Sequence, residues 1–73
     1  MRVNVQRLKG KIVENGTNVQ TLAKNIGVDS ATFYRKLREE GETFTVGEAH
    51  RISDALSLSK EDCTSIFFAD SVA

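Results

Sequence analysis

Proline and tryptophan are missing from this 73-residue chain, and it has one cysteine, one histidine and one tyrosine. A lone Cys closes no disulfide within the chain, and one Cys with one His cannot supply the four ligands of a structural zinc site. A reducing compartment such as the cytosol is the expected setting. With no proline, breaks between elements must come from glycine and from polar caps. Long apolar runs are also missing: none approaches the roughly 18 residues of a membrane span. Residues 1–6 alternate polar and apolar rather than forming the apolar core of a signal peptide. Paired carboxylates, a nucleophile beside a base and a glycine-rich phosphate loop are all lacking, so neither an enzyme nor a cofactor is expected. The length predicts one domain with a net stability of about 3–5 kcal/mol, too small for a catalytic cleft and its support.

Net charge is lacking too, since ten basic residues balance ten acidic ones. Taken alone, that balance argues against a polyanionic partner. The distribution along the chain points the other way. Residues 1–38 carry eight cations against Glu14 and Asp29, a net of +6, whereas residues 39–73 carry Arg51 and Lys60 against eight acids, a net of −6. Such asymmetry predicts oriented binding to DNA or another anionic surface.

What is present is helical periodicity. Val5, Leu8 and Ile12 recur at three- and four-residue spacing, which predicts an amphipathic helix over residues 4–15, capped by Asn4 and weakened at Gly10 by up to about 1 kcal/mol. Asn15-Gly16 ends it, and Thr17 or Asn18 can cap a short second helix with Val19, Leu22, Ala23 and Ile26 on its apolar face. Gly27 breaks that helix. Asp29 is then the N-cap of a third, from Ser30 to about Glu40, with Gly41 behind it. Thr45 and Glu48 form a capping box opening a fourth helix, whose expected buried stripe is Val46, Ala49, Ile52, Ala55 and Leu56. Ser59 and Asp62 open a fifth through about Phe68, with Cys63, Ile66 and Phe67 on one face and a fraying tail at 69–73. The expected fold is an all-α bundle of five short helices.

The second and third helices, joined by a short glycine-containing turn, have the pattern of a helix-turn-helix unit over about residues 19–38. Ala23 is small where the third helix crosses, Gly27 takes a positive φ in the turn, and Leu22, Ile26, Val28, Phe33 and Leu37 wedge the two helices together. The stretch Leu22-Ala23-Lys24-Asn25-Ile26-Gly27-Val28-Asp29-Ser30-Ala31-Thr32-Phe33-Tyr34-Arg35-Lys36-Leu37 resembles the phage Cro and CI repressor family, also known as the xenobiotic-response-element type. The resemblance extends through Thr45 to Leu58 and the Ile66-Phe67-Phe68 ending, which is similar to short prophage regulators. It implies a lambda-repressor-like fold in the bacterial cytoplasm, with the third helix in the major groove of double-stranded DNA. Two positions depart from the family pattern. Val19 stands where the family usually has a phosphate-binding Gln, with Gln20 one place later, and Lys36 holds the usual place of the second apolar anchor, with Leu37 following.

At 100° per residue, the direction opposite the Phe33/Leu37 face is occupied by Arg35, flanked by Ala31 and Arg38 on one side and Thr32 on the other. The resemblance separately implies Ser30, Ala31 and Arg35 as base-facing. Arg35 suits guanine O6 and N7, and the Ala31 methyl group suits the thymine methyl. Ser30 and Thr32 sit in the first turn, where they can cap the helix or contact DNA. Candidate phosphate contacts are Gln20 and the cations Lys24, Lys36, Arg38, Arg7, Lys9 and Lys11, any one of the cations being equally well explained as part of a solvated face. Tyr34 belongs to the same set, although half-buried packing with its hydroxyl outward is the favoured role. Lone His50 has no metal or acid–base partner, and Cys63 reads as a small core residue. Ile66, Phe67 and Phe68 cannot all point one way on a helix, which predicts a homodimer interface there and two half-sites of a palindromic operator about one DNA turn apart. An antitoxin, a restriction controller, or a protein-binding module that has lost DNA binding fits the same pattern.

Overall fold

In the computed structural model, which describes residues 2–68, each polar cap closes a helix by a local hydrogen bond. Asn4 accepts from Arg7 N to open α1 (Val5–Glu14), and Asn18 accepts from Thr21 N to open α2 (Val19–Asn25). Asp29 opens α3 (Ser30–Arg38), and Thr45 with Glu48 forms the reciprocal capping box of α4 (Val46–Ala55). Ser59 opens α5 (Lys60–Phe67) by accepting from Asp62 N. The architecture is all-α, with five helices and no strand among the described residues. The expected tail at 69–73 lies outside those residues.

The first four helices share one way of stopping. After each C-cap the chain turns into the left-handed region, at Gly16, Gly27, Glu40 and Ser57, with φ of 71°, 78°, 58° and 51°. The next amide then reaches back to the last turn: Thr17 N to Ile12 O, Val28 N to Ala23 O, Gly41 N to Lys36 O, Leu58 N to Ser53 O. These are the paired carbonyl bonds of a Schellman motif. At Gly27 a Cβ would meet nothing within 4 Å, so the glycine is needed for its backbone conformation alone. α3 stops two residues short of the expected Glu40 because Glu40 itself takes the left-handed turn.

The core is built from the stripes the periodicity marks: Leu8 and Ile12 of α1, Leu22 and Ala23 of α2, Phe33 and Leu37 of α3, Ala49 and Ile52 of α4. It also takes Val3 and Phe44, which lie outside any helix. Val3 N donates to Glu40 O at 3.1 Å and Asn4 N to Ile66 O at 2.8 Å, so the amino-terminal residues are tied to both the α3 end and α5. Gly41 makes room for this, because a Cβ there would collide with the Val3 side chain. Phe44 packs edge-on against Phe33, with ring centroids 5.3 Å apart.

Two expectations are corrected. Val46 is 68% exposed and Ala55 is also outside, so the α4 stripe is Ala49, Ile52 and the C-cap Leu56, joined by the buried carboxylate of Glu48. Val46 and Ile52 are six positions apart, which turns the valine about 120° away from the buried side. Ile66 and Phe67, expected at a dimer interface, are 0% and 1% exposed and lie in the core of this chain. Phe68 is half-buried and packs against the same core. At this chain length, a core without two of its largest side chains would be hard to sustain.

Candidate nucleic-acid interface

α2 and α3 are joined by four residues, 26–29, and α3 lies with Phe33 and Leu37 inward. On its opposite side Ala31, Arg35 and Arg38 are exposed, as is Glu39 at the C-cap. Tyr34 is 45% exposed at the boundary. The expected centre of the outward face, Arg35, is therefore on the surface, with Ala31 one turn before it. Ser30 and Thr32 are half-buried.

The first turn of α3 is capped by Asp29, as expected. Asp29 Oδ2 accepts from Ala31 N at 3.1 Å and from Thr32 N at 3.4 Å. Those amides are occupied by the protein's own carboxylate, so the first-turn backbone does not offer them to a phosphate.

Among the candidate phosphate contacts, Gln20, Lys24 and Arg38 are exposed. Lys9 is also exposed and lies with Val13, Val19 and Tyr34 around a shallow, largely apolar groove of 280 Å³ between α1, α2 and α3. Lys36 is not available. Its Nζ lies 2.8 Å from Glu48 Oε1 and 2.9 Å from Oε2, donates to Thr43 O at 3.2 Å, and sits 5.7 Å above the Phe44 ring. The stem of Lys36 packs inward and its charge is met by a buried carboxylate. Lys11 is half-buried and partly drawn aside, while Arg7 stays exposed. Both face Asp62 on α5, at 3.5 Å and 3.0 Å, and Lys11 also reaches Glu14 at 3.5 Å.

These pairs undo the separation of charge seen along the chain. Arg2–Glu40, Arg7–Asp62, Lys11–Asp62, Arg35–Glu39 and Lys36–Glu48 each join a cation of the basic half to an acid of the other half. The halves of the sequence are not halves in space. The electrostatics follow. Burial pushes the Glu48 carboxyl up, but the Lys36 ammonium and the Thr45 amide outweigh it and hold it below the ordinary carboxylate value. The hydrogen bond with Lys11 holds Asp62 low and, reciprocally, raises Lys11.

Sequence reasoning missed Glu48, Asp62 and Thr43 as partners of these cations. Glu48 was visible as the carboxylate of a capping box, but nothing local marked Lys36 as its second partner. Glu39, one turn after Arg35, was open to the i,i+4 rule. Among the described residues no group of three or more His, Cys, Asp or Glu side chains could hold a metal ion, and no helix is long and apolar enough to cross a membrane. Cys63 Sγ lies 3.2 Å from Ser53 Oγ at the α4–α5 contact. Comparison with family models, curated proteins and solved structures finds no match to this chain.

Proposed function

We propose that the chain is a sequence-specific double-stranded-DNA-binding regulator in which α2, its glycine turn and α3 act as a helix-turn-helix, with α3 in the major groove. The observation that carries this reading is the outward face of α3, where exposed Arg35 stands between Ala31 and Arg38 on a helix wedged from behind by Phe33 and Leu37. Arg35 would pair with guanine O6 and N7, a contact worth about 1–3 kcal/mol of discrimination, while the Ala31 methyl packs on a thymine methyl. Lys9, Lys24, Arg38 and Gln20 would meet phosphates and set the register. Lys11 and Lys36 are drawn from that role by their acidic partners, whereas Arg7 stays exposed beside Asp62. Two copies would read two half-sites of a palindromic operator, and repression by occlusion is the regulatory outcome we assign.

Selection of bound sequences from random duplex DNA tests this reading. Enrichment of a palindrome, lost on Arg35→Ala, supports it; binding without an enriched site refutes sequence-specific reading. A protein-binding module is the second reading, favoured by the apolar groove around exposed Val13 and Tyr34. Failure to bind duplex DNA at low salt would favour it.

A further inference from the structure

Arg35 has a carboxylate neighbour on its own helix. Its Nη1 lies 3.9 Å from Glu39 Oε1, and the same oxygen accepts a hydrogen bond from Thr43 Oγ1 at 3.1 Å. Thr43 belongs to the connection between α3 and α4, and its carbonyl accepts from Lys36 Nζ. Lys36 is held by both oxygens of Glu48, and Glu48 Oε1 also accepts from Thr45 N at 2.9 Å. A continuous chain of polar contacts thus runs from a buried carboxylate, 10% exposed, to a guanidinium that is 52% exposed.

Stability does not account for the outer end of this chain. An exposed ion pair between long side chains contributes little, since solvent screens it and both side chains lose rotamer freedom. A carboxylate beside a DNA-reading arginine also repels every phosphate backbone alike, whatever its sequence. What Glu39 supplies is direction. Anchored by Thr43, it limits the arcs through which the guanidinium can swing, and a group held in its binding orientation loses less freedom when it docks. The repulsion lowers binding to every duplex, and only DNA that meets the oriented guanidinium with a matching acceptor pair recovers the loss, so the difference of affinities that makes specificity comes from the orientation.

We infer that Glu39 and Thr43 are specificity-determining positioning residues: they aim Arg35 and make nonmatching DNA bind less well. The inference rests on the DNA-reading role of α3 proposed above. Its test compares the wild type with Glu39→Gln, Thr43→Val and Thr43→Ser for binding to the selected duplex and to an unrelated duplex at one salt concentration. Glu39→Gln raises affinity for the unrelated duplex about fivefold, the effect of removing one close charge in water. It also lowers the ratio of selected to unrelated binding about tenfold, within the range of one bidentate base contact. Thr43→Val changes no charge, so it leaves unrelated binding alone and lowers the ratio. Thr43→Ser keeps the hydroxyl and restores it. A merely structural role would lower folding stability and weaken binding to both duplexes together in Thr43→Val, leaving their ratio unchanged. Unchanged ratios in both Glu39→Gln and Thr43→Val overturn the positioning role while the DNA reading stands. A wild-type protein that selects no sequence overturns the DNA reading first, and the positioning role with it.

Discussion

Replacing Lys36 by methionine strands the Glu48 carboxylate. In the wild type that carboxylate accepts two short bonds from Lys36 Nζ, while one of its oxygens also takes the Thr45 amide. Methionine keeps an apolar stem of similar length against Phe44 but leaves a charge that is 10% exposed with only the amide to meet it. Removing one partner of a buried pair costs about 3–5 kcal/mol, and access to water at the rim of this site lowers the figure to about 2–3 kcal/mol. For a domain of this size that is half or more of the net stability. Adding Glu48→Gln should return about 2 kcal/mol, because the amide oxygen still accepts from Thr45 N and no charge is left buried. Urea unfolding followed by far-ultraviolet circular dichroism reads this directly. With a slope of about 1 kcal/mol per molar, Lys36→Met moves the midpoint down by about 2 M and the double variant moves it most of the way back. A single variant within about 0.5 M of wild type, or a double variant no better than the single, refutes the reasoning. The pH dependence has a definite sign. The folded Glu48 carboxyl lies below its unfolded value, so its contribution is complete above that value, about 4.5, and is lost as pH falls through the folded one. The double variant should lack that part of the acid loss.

Glu40 and Ser57 occupy left-handed turns where a Cβ is unfavourable, so Glu40→Gly and Ser57→Gly should each raise stability by about 0.5–1 kcal/mol in the same urea experiment; a loss in both contradicts the assignment. Gly41→Ala places a methyl group against Val3 at a positive φ of 73°, and it should cost at least about 2 kcal/mol and loosen the amino-terminal residues in hydrogen exchange. Phe67→Ala should cost about 3–5 kcal/mol at every protein concentration, as a core truncation does, whereas a loss that shrinks on dilution would return Phe67 to an interface.

Much of the fold was legible because its signals are short-ranged. Asn4, Asn18, Asp29, Thr45 and Ser59 each bond an amide two or three residues ahead, and any reading of neighbouring residues can find such caps. Leu8 and Ile12, or Phe33 and Leu37, mark their faces by spacing alone. The outward position of Arg35 follows from the same spacing. The stripe on α4 was misread at Val46 because apolar character was counted before direction, and Glu48, drawn inward by its cap and by Lys36, was not counted at all.

The sequence by itself determined where the helices start and stop, which faces carry the apolar side chains, and that Arg35 points away from them, since all three depend on residues within a turn or two of each other. Only the tertiary structure decided which charges remain free for a partner. Lys36 and Glu48 are twelve residues apart, Arg7 and Asp62 fifty-five, and nothing local selects either pair. Packing selects them, by placing the Lys36 side chain of α3 beside Glu48 in the first turn of α4 and α1 against α5. The same packing drew Val3 and Phe44 into the core and turned Ile66 and Phe67 inward, because a chain this small needs every large apolar group it has.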